Sequence, residues 1–199
     1  MIKVAICGGI GSGKSTVCQM FAERGIALYD SDTRAKALMN ESEELRKALI
    51  AEFGEECYVD GVLNRAYLAS KAFGSEEQLA KLNSIVHPAV KADFLRWAEA
   101  QEGEYCLLES AILFESGFDR LVDKTVAVLA PQTLRVMRAM ERDGATKEAV
   151  EARVKAQMSD DELVARCDFA IVNIHLEDVE KDVAELNHRF KVLANEQSR

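Results

Sequence analysis

The sequence predicts an α/β domain in which helices cover both faces of a five-stranded parallel sheet, giving three layers. Short apolar segments alternate with segments of helical periodicity, which is typical of parallel strands joined by crossover helices. The strand candidates lack a polar alternate face, as expected for strands covered on both sides. A chain of 199 residues is long enough for one such domain. The candidates are residues 2–7, 26–29, 105–108, 125–129 and 169–172.

The first strand candidate leads into a glycine-rich loop. Residues 8–16 read GGIGSGKST and match the template G-x-x-x-x-G-K-[ST] of a phosphate-binding P-loop. Glycines let successive backbone N–H groups point towards phosphate oxygens, and a helix N-terminus directly behind the loop favours anions. A chance match is a poor alternative because the flanking strand and helix patterns are both present. We therefore predict that the chain binds a nucleoside triphosphate.

The motif also gives the polar side chains of this loop individual roles. We expect Lys14 to reach the β- and γ-phosphates of ATP and the Ser15 hydroxyl to bind Mg²⁺. The other contacts to the nucleotide are predicted to come from Gly11, Ser12, Gly13 and Thr16.

Two aspartates follow the second strand candidate, in the sequence DSD at 30–32. Ligands of open α/β sheets bind beyond the carboxyl ends of the strands, which predicts both acids beside the P-loop. On an extended chain their side chains project to the same side, so that one takes a proton from a substrate hydroxyl while the other orients water or Mg²⁺. Either could instead cap a helix beginning near Thr33. We favour a catalytic role for Asp32 and leave Asp30 open between the two roles.

The segment between the second and third strand candidates is predicted to be a helical insert at about 41–103. No strand candidate occurs from 42 to 101, and apolar residues there fall on three helical stripes. His87 precedes Pro88, and the residue before a proline disfavours helix, which predicts a helix boundary at this point.

The third strand candidate is followed by Glu109. Many P-loop proteins carry an acid at this position that holds the Mg²⁺ shell, and we assign Glu109 to that role beside Ser15. Glu115 is a further candidate, although surface glutamates are common.

Residues from about 131 to 166 are predicted to form a lid. Arg135, Arg138 and Arg142 have the spacing i, i+3, i+7, which aligns them on one helical face. Few acidic residues lie near Arg135 and Arg138 in sequence, which favours a phosphate-binding face over a solvated one. Helical hairpins of this kind close over ATP in small P-loop kinases. Arg138 is the best candidate for a contact to the transferred phosphoryl group.

The C-terminal segment carries one continuous apolar stripe. Its apolar residues step by threes and fours from Leu176 to Leu193, which predicts a long amphipathic helix. A core-facing stripe is favoured over a dimerisation face, and the oligomeric state stays open. We expect one domain over residues 1–199, with the core at about 1–40, 104–130 and 167–199.

Composition limits the classes of partner. A formal net charge of −9 disfavours nucleic acid as a partner. No apolar run approaches the roughly 20 residues of a membrane span, so no membrane partner is expected. The five cysteines lack zinc or redox spacing and fit a reducing compartment. With a strand candidate at the very start of the chain, we expect a cytoplasmic protein.

Several motifs together resemble the dephospho-coenzyme A kinase family over nearly the whole chain. The P-loop alone is shared by many families, and the later motifs make the resemblance specific. They are DSD at 30–32, LNR at 63–65, LNSIVHP at 82–88, LFE at 113–115, RDGAT at 142–146, Arg153, Gln157, and DFAIVN at 168–173. The family often has an aspartate and a proline where this chain has Glu109-Ser110-Ala111.

The resemblance implies a three-layer P-loop kinase fold and the last step of coenzyme A synthesis. In that step ATP phosphorylates the ribose 3′-hydroxyl of dephospho-coenzyme A, the small-molecule substrate. It also implies that Asp32 is the general base, that the helical insert binds the acceptor, and that Arg142 and Asn173 belong to the nucleotide site.

Three alternatives make distinct demands on the sequence. Shikimate kinases also carry an Asp-x-Asp pair, but they have a glycine triplet after the third strand, where this chain reads ESAI at 109–112. A GTP-dependent switch needs an Asn-Lys-x-Asp stretch, which does not occur here. A nucleic-acid-stimulated ATPase is disfavoured by the acidic charge balance.

Overall fold

A computed structural model describes residues 1–72 and 74–197. Its strands are β1 (Ile2–Cys7), β2 (Ala27–Asp30), β3 (Tyr58–Val59), β4 (Val62–Leu63), β5 (Tyr105–Glu109), β6 (Lys124–Leu129) and β7 (Phe169–Val172). Its α-helices are α1 (Lys14–Ala22), α2 (Ser31–Glu41), α3 (Glu43–Phe53), α4 (Arg65–Ala72), α5 (Glu76–Glu99), α6 (Gln132–Asp143), α7 (Lys147–Lys155), α8 (Asp160–Arg166) and α9 (Leu176–Gln197).

Five of the strands form one parallel sheet in the order β2-β5-β1-β6-β7. These are the five predicted strands, and their bounds agree with the prediction to within one residue. The α/β prediction is therefore confirmed. The strand β1 lies at the centre of the sheet, and the register places Glu109 beside both Ile6 and Asp30. The carboxyl ends of β1, β2 and β5 thus meet at one edge, which is where ligands of such sheets bind.

The core of the sheet is apolar on both faces. Residues of β1, β5, β6 and β7 pack against α1 and α9 in one buried cluster. Tyr105 and Phe190 meet edge to face with ring centroids 5.4 Å apart. The predicted C-terminal helix is confirmed, because its stripe of Val179, Val183, Leu186 and Phe190 is buried in this cluster.

The chain divides into two compact units. One comprises Met1–Asp30 and the residues from Ala100 onward, and the other comprises Ser31–Glu99. The second unit starts about ten residues before the predicted insert, because α2 packs against α3 and α5. No helix within the described ranges 1–72 and 74–197 has the length and hydropathy that a membrane span requires.

Two expectations for the second unit are wrong. The segment from 42 to 101 contains a β-hairpin, β3–β4, whose turn is Asp60-Gly61 with φ angles of 50° and 81°. That dipeptide is a hairpin signal, because both positions of such a turn need positive φ. Pro88 lies inside α5 and does not end it. The buried residues Val86, Val90 and Phe94 continue the apolar stripe across the proline and stabilise the helix.

Candidate nucleotide-binding site

The P-loop has a backbone conformation that only glycine adopts without strain. The φ angles of Gly8, Gly11 and Gly13 are 152°, 73° and 93°, all in the positive range. Gly13 is also the N-cap residue of α1, so the N–H groups of the first helical turn directly follow the loop. The loop thereby presents backbone donors at a helix N-terminus, an arrangement that binds phosphate.

Close packing explains the glycines of the loop beyond the motif template. A Cβ atom at Gly9 would collide with the Arg135 guanidinium, and one at Gly11 would collide with the Arg135 backbone carbonyl. At Gly13 it would collide with the side-chain amide of Asn173. The helix α6 and the residue after β7 therefore lie directly against the P-loop.

Lys14 folds back onto its own loop. Its Nζ donates a hydrogen bond to the Gly8 carbonyl oxygen at 2.9 Å, and the side chain is half-buried. The ammonium group thus lies against the backbone of the glycine-rich loop.

Ser15 and Glu109 form a pair of oxygen donors beside the loop. The Ser15 hydroxyl donates to Glu109 Oε1 at 2.8 Å. Glu109 is the last residue of β5, and its register with Ile6 brings it level with the end of β1. A hydroxyl and a carboxylate suit Mg²⁺, which prefers oxygen ligands and keeps several waters and substrate phosphates in its shell. Among the described residues no cluster of three or more His, Cys, Asp or Glu suits a metal.

The predicted lid segment contains α6, α7 and α8, and it packs on the P-loop through Ile10. The Ile10 side chain lies in a buried cluster with Val136, Ala139 and Val150. Its backbone N–H donates to the Gln157 Oε1 at 2.7 Å. Gln157 was expected only as part of the lid motif, and its contact to the P-loop backbone could not be read from sequence.

Arg135 is buried and structural in its contacts. Only 4% of the residue is exposed. Its Nε donates to the Ile10 carbonyl at 3.1 Å, and its Nη1 pairs with Asp160 Oδ1 at 2.6 Å. Acidic residues are sparse near Arg135 in sequence, but the fold supplies one, so sparse acids in sequence were a poor guide to its environment. Asp160 lies 25 residues further along the chain, at the start of α8, where the fold brings it to α6.

Arg138 and Asn173 connect α6 to the P-loop. Arg138 Nη1 donates to the backbone carbonyl of Asn173 at 3.1 Å, and Asn173 Nδ2 donates to the Ser12 carbonyl at 2.8 Å. Asn173 is buried, and its own N–H donates to Leu129 at the end of β6 at 2.7 Å. The structure thus brings together Ser12, Gly13, Arg138 and Asn173, four of the predicted site residues.

Arg142 lies in a different environment from Arg135 and Arg138. It is exposed, and its Nε and Nη2 pair with the two oxygens of Asp143 at 2.7 and 3.1 Å. Arg153 pairs with the same carboxylate at 2.9 Å. Hydrogen bonds lower the pKa of Asp143 to about 2, with the larger effect from Arg142 and a smaller one from Arg153. Arg135, Arg138 and Arg142 therefore lie on one helix but in three different environments.

Asp32 lies in a helix and not on an extended chain. The strand β2 ends at Asp30 and α2 begins at Ser31, so the i, i+2 geometry expected for the two acids is wrong. Asp32 is exposed in the first turn of α2, where the positive end of the helix dipole stabilises a negative charge. Asp30 lies beside Glu109 in the sheet.

Known proteins resemble this chain over almost its full length. A profile of the dephospho-CoA kinase family matches residues 2–178. A dephospho-CoA kinase of Porphyromonas gingivalis is 43% identical over 174 residues, which cover 87% of this chain and 86% of that protein. One of Methylococcus capsulatus is 37% identical over 196 residues, covering 98% and 99%.

Solved structures agree in fold. The crystal structure of TT1252 from Thermus thermophilus has a TM-score of 0.80 and 34% identity, and the match covers 94% of this chain and 97% of that one. A shikimate kinase from Acinetobacter baumannii has a TM-score of 0.57 at 14% identity, covering 98% and 94%, and shows the shared fold alone. The profile match and the sequence identities decide between the two kinds of kinase. The chain belongs to the dephospho-CoA kinase family, whose members use ATP to phosphorylate the ribose 3′-hydroxyl of dephospho-coenzyme A in the last step of coenzyme A synthesis.

Proposed function

We propose that the P-loop and its neighbours hold the triphosphate of ATP for transfer to the acceptor alcohol. The main support for this proposal is the conformation of the loop, in which three glycines have positive φ and Lys14 Nζ donates a hydrogen bond to the Gly8 carbonyl. The N–H groups of Gly11, Ser12 and Gly13 and of the first turn of α1 hold phosphate oxygens. Lys14 exchanges the Gly8 carbonyl for the β- and γ-phosphates, where negative charge develops during transfer.

Ser15 and Glu109 are the residues that would hold Mg²⁺. Their hydrogen bond at 2.8 Å supports this assignment, because it places two hard oxygen donors side by side next to the P-loop. When bound, the ion neutralises charge on the β- and γ-phosphate oxygens. Ser15 would bind the ion directly, and Glu109 would hold it through Ser15 or through a bound water. Thr16, exposed in the first turn of α1, contacts the α-phosphate.

Arg138 is the lid residue that we assign to the transferred phosphoryl group. It is half-buried, and its Nη1 donates to the backbone carbonyl of Asn173, the residue whose side-chain amide also donates to the Ser12 carbonyl. Asn173 in turn positions the P-loop and lines the nucleotide site. Arg142 binds a nucleotide phosphate by exchanging Asp143 for phosphate oxygens, since both groups match the guanidinium fork.

Asp32 is the proposed general base for the ribose 3′-hydroxyl. Its support is its exposure at the start of α2, directly after the strand end where Asp30 and Glu109 meet. In the transfer step the 3′-oxygen attacks the γ-phosphorus, the bond to the bridging oxygen of ADP breaks, and Asp32 takes the hydroxyl proton.

We further propose that the helical unit binds the acceptor, that residues 131–166 act as the lid, and that the enzyme works in the cytoplasm, where its five free thiols are stable.

The test compares D32N with D30N, which remove one carboxylate each and keep its size. If Asp32 is the base, D32N lowers turnover by roughly 10²–10⁴, towards the lower end because the transition state is loose. Its melting temperature and ATP affinity stay near those of wild type, since asparagine also suits a helix start. D30N has a milder effect. Normal turnover in D32N would exclude Asp32 as the base, and a larger loss in D30N would move the role to Asp30.

A further inference from the structure

Cys7 and Cys167 are neighbours in space although 160 residues separate them. Their Sγ atoms lie 3.5 Å apart, within sulfur hydrogen-bonding distance. A disulfide bond has an S–S length of about 2.0 Å, so the two atoms need to approach by about 1.5 Å. We propose that Cys7 and Cys167 form a reversible disulfide that ties the end of the lid to the P-loop and slows phosphoryl transfer.

Exposure assigns a separate role to each thiol. Cys7 is 1% exposed at the end of β1, whereas Cys167 is partly exposed at the C-cap of α8. The hydrogen bond between the two sulfur atoms lowers the pKa of the Cys167 thiol, while the same bond and burial raise the pKa of the Cys7 thiol. An oxidant therefore meets Cys167 first, and Cys7 is the resolving thiol. The other three thiols, Cys18, Cys57 and Cys106, are fully buried.

The oxidation balances with a hydroperoxide as the oxidant. The Cys167 thiolate attacks one peroxide oxygen, the O–O bond breaks, and protonation of the leaving hydroxide gives water and a sulfenic acid on Cys167. The Cys7 sulfur then attacks the Cys167 sulfur, and the sulfenic hydroxyl leaves as a second water with the proton of Cys7. Two electrons pass from the two thiols to the peroxide, and a dithiol reductant returns them.

The surrounding contacts direct the movement to Cys167. Cys7 is paired with Ala127 in the sheet, and the next residue, Gly8, has no space to shift because a Cβ there would meet the Val128 carbonyl. Cys167 ends α8, with its N–H bonded to Leu163 at 2.9 Å. Closing the bond therefore pulls the last turn of α8 towards β1.

The disulfide would connect α8 to the chain just before the P-loop, and α8 already contacts the P-loop through Arg135. The first residue of α8, Asp160, pairs with Arg135, which donates to the Ile10 carbonyl. The disulfide would therefore close a ring of contacts from the start of the P-loop through α8 and α6 back to Ile10. This step rests on the proposed lid role of residues 131–166: a lid fixed in this way opens and closes slowly, and lid opening limits turnover in many enzymes.

The test treats the reduced enzyme with hydrogen peroxide and then with dithiothreitol. We expect the free thiols to fall from five to three, a peptide linking Cys7 to Cys167, and turnover lower by about tenfold or more, all restored by the reductant. C167S should keep its turnover after peroxide, whereas the matched variant C106A should remain as sensitive as wild type. A missing Cys7–Cys167 peptide in oxidised wild type, or equal inactivation of C167S, would overturn the proposal. Peptide mapping needs no substrate, so its result is independent of the roles assigned to Lys14 and Asp32.

Discussion

The P-loop and the lid segment 131–166 lie in contact, yet they are determined by different kinds of interaction. The conformation of the P-loop is determined by its backbone, through glycines at positive φ and a helix that begins at Lys14. In the predicted lid segment the geometry depends on side chains, because Arg135 and Arg138 bond to residues 25 and 35 positions further along the chain. A local motif therefore specifies the P-loop, while the environments of Arg135 and Arg138 depend on tertiary contacts.

The largest effect is expected at the P-loop. K14A removes the side-chain charge that we assign to the β- and γ-phosphates, and turnover should fall on the order of 10²–10³ or more. The melting temperature should change little, because Lys14 is only half-buried and its hydrogen bond to the Gly8 carbonyl lies within the loop. Steady-state kinetics with ATP and dephospho-coenzyme A, together with thermal melting, measure both. A K14A enzyme with more than about a tenth of wild-type turnover would contradict the role of Lys14.

Arg138 and Arg135 form a matched pair within the lid. R138M should lower turnover by about 10–100-fold and weaken ATP binding much less, because lid contacts are completed only on closure. Its melting temperature should stay near that of wild type.

R135M is the control on the same helix. It leaves Asp160 and the Ile10 carbonyl without their buried partner, which should destabilise the fold by about 1–3 kcal/mol. Asp160 is partly exposed, which keeps the loss below that of a fully buried pair. If R138M lowers the melting temperature as much as R135M, Arg138 is structural as well. If R138M affects only acceptor affinity, the arginine face belongs to the acceptor site.

The contrast also explains which parts of the molecule are predictable from sequence. The five parallel strands and the P-loop follow from local signals, namely apolar runs and glycine spacing. The hairpin at Asp60-Gly61 had an equally local signal, and it is absent from the prediction because the flanking strands have only two residues each. The continuation of α5 through Pro88 depends on burial of the stripe on both sides, which a propensity argument does not include.

The site residues divide along the same line. The hydrogen bond between Ser15 and Glu109 follows from the strand order and register, which were not predicted, whereas the two residues were assigned to Mg²⁺ from the motif and from the end of the third strand. The burial of Arg135 was not predicted either, because its acid, Asp160, lies on another helix and the i, i+3, i+7 spacing describes only the helix that carries the arginines. The expected aligned face is thus three different environments, one buried, one half-buried and one exposed.

The smallest effect is expected at the exposed end of the same helix. Asp143 accepts hydrogen bonds from two nitrogens of Arg142, Nε and Nη2, so a phosphate that binds this edge of the guanidinium must displace the carboxylate. D143N removes the competing charge and should tighten ATP binding by about two- to threefold, since exposed ion pairs contribute little. Because the pKa of Asp143 is lowered to about 2, the carboxylate is ionised throughout the working range, and the difference between D143N and wild type should be constant from about pH 6 to pH 9.

The double variant R142M/D143N separates competition from a general charge effect. If Asp143 acts by competing for Arg142, the gain in ATP affinity disappears when Arg142 is absent. Titration calorimetry at fixed salt measures the dissociation constant of each variant. A gain that persists in R142M/D143N would mean that Asp143 only repels the anionic nucleotide, and weaker binding in D143N alone would mean that Asp143 positions Arg142 for phosphate.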